Sequence, residues 1–470
     1  MGYLILFVAY LGLLLFVGLG FARRMRSAED FFLAGRRLSG SLVFVSLTAS
    51  WFGATSILVS TDEALQAGVG AVWIVGLPAV ATVIILAVLF APRLHRLPVF
   101  TWSDLVELRY GRTVRHLASG LLVWYMALLA ASQMTALGHF LGAYIDLPYS
   151  TAVALGTAVV LAYTALGGLR SVVWTDVLQG LLLAAGLAAL LIATAGKSSF
   201  SEAADLAAAS GKAGYFDLFH DFGKNGLMFL SFALAWTISP IALQRIRAAE
   251  SPAAARRGLA GTAVALLGLY ALVVSIGVLA FPLFPAGTAG RPLVAAIAGT
   301  GGFAVRGLVF IAVLAAILST MDTAINAGAL VLSRDVIEQV IPRTKARPVF
   351  WGRASTILLA SAAFLVALML RSILKTIGLS SEILAEGFFI PGVAMIFLEG
   401  RYPRAGLLSV CGGGGFAVLA FLEASKIISL GLPTWPYSLP WGLLAGAAGF
   451  AVGMTLDRRA RGVVRDGRIG

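Results

Sequence analysis

Ser319 and Thr320 are adjacent within a long apolar stretch, and Ala316 stands one helical turn before Thr320. On a helix all three can face one partner. Hydroxyl and carbonyl oxygens are hard neutral donors, the kind that a small hard cation such as sodium takes when its shell is dry and fixed. The bland alternative is that these hydroxyls bond back to their own helix. On the same stretch Ser319, Asp322 and Asn326 fall on one face. Asp322, Asp176 and Glu386 are acids within apolar segments, and a charged carboxylate in hydrocarbon costs at least about 2.5 kcal/mol. They must therefore face protein or water. Two further loci break the apolar pattern. Ser46 to Ser56 is a small and polar run, and Trp236-Thr237-Ile238-Ser239-Pro240 ends in a proline, which removes a backbone donor and interrupts a helix. Interrupted helices free backbone carbonyls that can hold an ion.

Catalytic chemistry finds no support. His95, His116, His139 and His220 are scattered without metal-ligand spacing, and no nucleophile stands near a base. Ala195-Gly196-Lys197-Ser198 looks like the end of a phosphate-binding loop, but Leu191 occupies the place of the required glycine. Gly412 to Gly415 reads as a packing surface. The single cysteine, Cys411, excludes an internal disulfide and is expected to be a small buried apolar residue.

The elements that carry these residues are membrane spans. Hydrophobic residues make up 59% and charged residues 12% of 470 positions. A soluble domain carries about 25% charged residues. Apolar runs of about 20 residues, each long enough to cross the hydrocarbon as a helix, recur along the chain. The sequence predicts an all-α polytopic protein of thirteen spans, at 3–21, 38–60, 69–91, 117–143, 147–165, 176–196, 225–244, 259–281, 303–333, 354–370, 376–398, 405–422 and 438–456. The first lacks a charged leading region and a cleavage site, so it is expected to be a retained helix.

Charge orients the spans. With the N-terminus outside, 27 of the 35 Lys and Arg fall in inward loops or the tail, from Arg23 through Arg245 and Arg247 to Arg468. The odd span count then places the basic tail in the cytoplasm. The net charge of +13 is thus a topology signal, and its division among short loops excludes a nucleic-acid-binding face.

Beyond the first span, five helices are followed by five more, and the first helix of each set is the interrupted one. The third of each set is unusually long. An odd set reverses direction, so the halves, 38–196 and 225–398, are expected to be inverted repeats within one transmembrane domain, with the helices of 405–456 appended. Matched breaks in inverted halves mark a transport site at the midplane. Close packing of small residues is the alternative.

The chain resembles the sodium:solute symporter family, which includes sodium-coupled sugar, proline, pantothenate and monocarboxylate carriers. Asp30-Phe31-Phe32-Leu33-Ala34-Gly35-Arg36-Arg37 resembles the motif at its cytoplasmic entrance. Tyr163 through Gln179, with Gly167-Gly168-Leu169-Arg170 and Trp174-Thr175-Asp176, resembles its central signature. Pro240 through Ala249 is similar to the segment after its broken sixth core helix, and Ala316-Ile317-Leu318-Ser319-Thr320-Met321-Asp322 to its sodium-binding helix. The resemblance implies a leucine-transporter-like fold, alternating access and sodium-coupled uptake of a small organic solute across the cell membrane. It places sodium on the carbonyls of Ala49, Phe52 and Ala316 and the hydroxyls of Ser319 and Thr320, and an ion-exit or gating role on Asp176. For the solute it leaves Trp51, Ser56, Gln133, Trp236, Asp322 and Thr323. Trp51 stands where proline carriers place an acid, so proline-type chemistry is not expected. A proton-coupled or uncoupled carrier, with Asp322 holding the proton, is the alternative. A membrane sensor module is a remoter one, since about 14 residues follow Asp457.

Overall fold

The computed structural model describes residues 2–22, 25, 27–288 and 292–466. Arg23, Arg24, Arg26, Arg291 and Arg468 of the charge count lie outside them.

The chain is helical from end to end of the described residues. The first part comprises α1 (Gly2–Ala22), the short α2 (Ala28–Leu33), α3 (Gly40–Trp51), α4 (Ser60–Ala67), α5 (Gly76–Ile85), α6 (Ala91–Leu94), α7 (Trp102–Tyr110), α8 (Arg112–Ile145), α9 (Tyr149–Ala195) and α10 (Phe200–Ala209). The second comprises α11 (Phe222–Thr237), α12 (Pro240–Ala248), α13 (Pro252–Ala280), α14 (Leu293–Gly299), α15 (Phe303–Val331), α16 (Glu338–Val340), α17 (Pro348–Met369), α18 (Ile373–Phe397), α19 (Pro403–Ala424) and α20 (Leu439–Asp466).

Nine of the described helices are long and apolar enough to cross a membrane, ten if the bent pair α11–α12 counts as one span. Two of these contain a glycine break where two expected spans meet, so the tally is of helical runs and not of crossings. The run 55–94 is interrupted at Gly68 (φ 74°, ψ −145°) and the 47-residue α9 at Gly168, each within the stretch where two spans were expected to meet. α3, Gly40–Trp51, is apolar but by itself shorter than a full crossing, whereas α1 has 21 residues. Inside α9 the chain bends at Gly168, whose φ of 54° and ψ of −154° are open to glycine alone. A Cβ there would also lie 2.5 Å from the Phe31 carbonyl oxygen, so the bend is where α2 presses against α9.

α15 is the central column. It packs on α8, α9 and α17, and every residue from Val309 to Val331 except Ile311 is buried. α13 packs against α3, α4 and α5, while α18 packs against α8, α11 and α19. Small residues let the backbones close up. A Cβ on Gly186 would meet Ala312, one on Gly258 would meet Val43, and one on Gly413 would meet the Glu386 carbonyl. The glycine run of α19 is therefore the expected packing surface. Cys411 is a correction: it is exposed on the outer face of α19, turned away from that surface.

At one end of the bundle the segment before α3 pairs with the segment after α12. Leu38 N–H donates to Ala248 and Glu250 N–H donates to the Leu38 carbonyl. Nearby, Arg115 ties α8 to α7 and to the turn after α15 through Asp104, Glu107 and the fully buried Asp335.

Candidate sodium and solute site

α3 stops at Trp51. Phe52, at φ −102° and ψ 67°, has left the helix, and a wide turn over Thr55–Val59 restarts it. The Ala49 carbonyl thus loses its helical partner and takes the Ser319 hydroxyl instead, at 2.9 Å. Ser319 also lies 3.1 Å from the Ala316 carbonyl, and Thr320 Oγ1 lies 3.2 Å from it. The back-bonded arrangement and the bridge to α3 coexist in one cluster of neutral oxygens. Gly53 fills the gap between elements: a Cβ there would sit 2.4 Å from Thr320 Oγ1 and 2.9 Å from Gln133 Oε1. Gln133 Oε1 accepts from Ala54 N–H at 2.9 Å and so braces the restart of the helix against α8. Ala49, Phe52, Ala316, Ser319 and Thr320 are all at most 5% exposed, which suits a dehydrated ion.

The second break mirrors the first. α11 and α12 meet at 41°. Ser239 caps α12 by accepting from Ile241 N–H, and Pro240 occupies the first turn, where no donor is needed. Between the breaks is a small cavity, lined by Trp51, Thr55, Ser56, Gln133, Trp236 and Thr320 among others. The indoles of Trp51 and Trp236 lie 6.2 Å apart between ring centres. Trp236 stacks on Phe232, and Ser56 Oγ lies 2.7 Å from the Tyr270 hydroxyl.

Asp322 and Thr323 do not line this cavity. Asp322 Oδ2 takes the Tyr163 hydroxyl at 2.6 Å, and Thr323 bonds Ser50 at 2.8 Å. Both belong to a polar network behind the cavity wall, centred on Arg245, which is wholly buried. Its guanidinium donates to Thr323 at 2.8 Å, to Ser46 at 3.2 Å and to Ser50 at 3.3 Å, and lies 3.5 Å from Asp176 Oδ2. Asp176 Oδ2 also accepts from Ser46 and Ser50. Ser50 lines the cavity as well, so the network touches it at one residue. Asn326 accepts from Gln244, and Gln244 also donates to the Phe32 carbonyl, which joins α15 to the stretch Asp30–Arg37.

The family model of the sodium:solute symporter family matches residues 31–408. The chain belongs to that family. Among the relatives of this symporter, the human sodium/iodide cotransporter is 33% identical over 187 residues, 37% of this chain and 27% of that protein. The sodium/glucose cotransporter of Vibrio parahaemolyticus is 24% identical over 487 residues, 92% of this chain and 86% of that one. A solved structure of a sodium-coupled sialic acid symporter, substrate-bound and outward-open, superposes with a TM-score of 0.82 at 20% identity, covering 97% of this chain and 98% of that one. The symporter therefore has the leucine-transporter-like all-α fold. Its family consists of transporters and not enzymes, with sodium as the coupled ion, and sodium-coupled symport of a small solute is the activity that membership carries.

Arg245 of the symporter was expected in an inward loop, and its burial corrects that reading. The signal was present in Asp176: an acid within a span needs a partner, and Arg245 is the cation that follows the second break. Glu382 was also overlooked. It lies one turn before Glu386 on α18, both are buried, and Ser438 donates to it. Glu386 packs on Gly442, with neither carboxyl oxygen hydrogen-bonded among the described residues. His139 keeps the ordinary role expected, bonding the Arg371 carbonyl at 2.9 Å.

Proposed function

We propose that this symporter carries a small organic solute into the cell with sodium by alternating access. Sodium sits on the carbonyls of Ala49, Phe52 and Ala316 and the hydroxyls of Ser319 and Thr320. The solute occupies the neighbouring cavity, with Trp51 and Trp236 as walls and Ser56 and Gln133 as polar contacts. The observation that carries this reading is the direct approach of Ser319 on α15 to the freed Ala49 carbonyl of the broken α3. Two elements from different halves of the chain share one oxygen cluster, and Thr320 belongs both to that cluster and to the cavity wall. An ion bound there stiffens the break that shapes the solute site, which is a physical basis for coupling.

Asp176, held by Arg245, lies behind the ion cluster and serves the ion's path inward. Asp322 and Thr323 act through that same network instead of touching the solute. The halves 38–196 and 225–398 work as inverted repeats, the N-terminus lies outside and the C-terminus lies in the cytoplasm. The test is solute uptake into proteoliposomes under an imposed sodium gradient, then under a proton gradient alone. Uptake driven only by the proton gradient would favour the carrier that uses Asp322, whose Oδ1 is buried and has no hydrogen-bond partner among the described residues.

A further inference from the structure

The back of α18 carries two acids that the sodium and solute site does not use. Ile377 of this helix lines the cavity, and Glu386 follows about two and a half turns later, so its side chain leaves the opposite face. That face packs against α19 and α20. Glu386 is fully buried, and Glu382, one turn before it, is buried too. The Glu386 carboxyl has room because position 442 on α20 is glycine: a Cβ there would lie 1.9 Å from Oε2. A Cβ on Gly413 of α19 would likewise lie 1.9 Å from the Glu386 carbonyl oxygen, so the residue is shut between two helices.

Nothing among the described residues holds a negative charge on Glu386. The Ser438 hydroxyl stands beside both carboxyls and donates to Glu382. A hydroxyl has one hydrogen to give, and neither oxygen of Glu386 receives one. The helices packed on α18 bring no cation to the place. α11 after Lys224, α19 between Arg404 and Glu423, and α20 before Asp457 have no charged residue. Cys411 of α19 is exposed, as are Lys426 and Tyr437 between α19 and α20. On α8 the one titratable group between His116 and His139 is Tyr125, which lines the cavity. Arg109 and Tyr110 of α7 meet α18 nearer its C-terminal end, at the carbonyls of Met395 and Pro391. The one charge that acts on Glu386 is that of Glu382.

Two carboxylates one turn apart and out of water repel each other, and each is costly to keep charged. A metal ion would need a shell of oxygens, and the Glu386 carboxyl lies directly against the backbone of α20. A proton needs only one acceptor. We propose that Glu386 is a proton-binding site, occupied at neutral pH and separate from the sodium cluster. Its O–H donates to the Ser438 oxygen, whose own hydrogen goes on to Glu382. One proton thus joins α18 to α20, and the single remaining charge rests on the carboxylate that has a donor. Tyr437, next to Ser438, is exposed, so the chain ends close to the surface, where a proton can be exchanged.

The full chain in lipid nanodiscs tests this in two ways. The infrared spectrum of the parent at neutral pH should hold the C=O stretch of a protonated carboxyl, and Glu386→Gln should remove that band. The second readout is stability against pH. Unfolding exposes the glutamate to water, where it ionises with a pKa of about 4.3, so above that pH the folded protein binds one proton more than the unfolded chain. The stability this proton gives is complete below about pH 4.3 and is lost as pH rises, until Glu386 ionises in the folded protein too. Melting temperature should therefore fall with rising pH more steeply in the parent than in Glu386→Gln, whose amide keeps the shape and a donor but has no proton to lose. The difference should correspond to about tenfold in the folding equilibrium per pH unit, and at neutral pH the variant should melt above the parent. Groups elsewhere titrate in both proteins and cancel. The proposal is overturned if the band is absent or survives the substitution, or if the two pH slopes coincide. It is equally overturned if Glu386→Gln melts far below the parent or does not fold, since Glu386 would then be held as a carboxylate.

Discussion

A dehydrated ion has no water to replace a missing ligand, so each oxygen around it counts for more than a hydrogen bond at a surface. Ser319→Ala and Thr320→Ala each remove one, and a hydrogen-bond-scale contact to a charge is worth about 1.5–3 kcal/mol. Each variant should raise the sodium concentration for half-maximal uptake by roughly 10- to 100-fold. Unchanged half-saturation in both would remove these residues from the site. Trp236 permits a sharper separation. If it is a wall of the solute site, Trp236→Ala loses solute affinity while sodium still raises the melting temperature, and Trp236→Phe keeps part of the affinity. A packing role alone would lower stability by about 3–5 kcal/mol and weaken sodium and solute binding together. Arg245 and Asp176 form the third case. Removing one charge of a buried pair leaves the other uncompensated, at a cost of about 3–5 kcal/mol. Arg245→Gln should thus lower the melting temperature more than the double variant Arg245→Gln/Asp176→Asn does, and additive losses would show that the pair does not matter to folding.

At the scale of elements, the proposed site rests on the breaks and bends, and they differ in how far the sequence exposes them. Pro240 announces the second break by its chemistry, and the polar run from Ser46 to Ser56 announces the first by its composition. Ser319 and Thr320 could be placed opposite that run because the family motif fixes both. The role of Gln133 as a brace of Ala54 could not be read, since it depends on which way α8 is rotated, and a helix with 21 buried residues shows no distinct inner stripe. Arg245 was miscounted because the expected span 225–244 ended one residue before it, whereas the helix after the break runs to Ala248 with all nine of its residues buried. Apolar length alone places the joins between spans only to within several residues, and the structure makes one of them at a single glycine, Gly168. That glycine supports its own prediction. Gly168→Ala combines a left-handed φ with a Cβ 2.5 Å from the Phe31 carbonyl, whereas a Cβ at Gly120 meets nothing within 4 Å. Thermal denaturation should show Gly168→Ala well below the parent and Gly120→Ala close to it.

For the whole molecule, the charge pattern supplies an orientation that can be checked from one side of the membrane. In a Cys411→Ser background, cysteines at Ser201 and Ser210 should react with an impermeant maleimide added outside intact cells, and a cysteine at Lys345 should not. All three positions are exposed, so a failure to react reports the side and not burial. The reverse pattern would invert the orientation and the direction in which the repeats enter the membrane. The backbone pairing of Leu38 with Ala248 and Glu250 has a bearing on what can move. It stitches together two stretches of chain about two hundred residues apart, at the mouths of both interrupted helices. A door hung on these two leaves cannot open between them; it swings with both leaves as one panel, and the gap must appear along its outer frame. A short covalent staple joining cysteines at Leu38 and Ala249 would then be silent, leaving uptake at the rate of the unstapled protein.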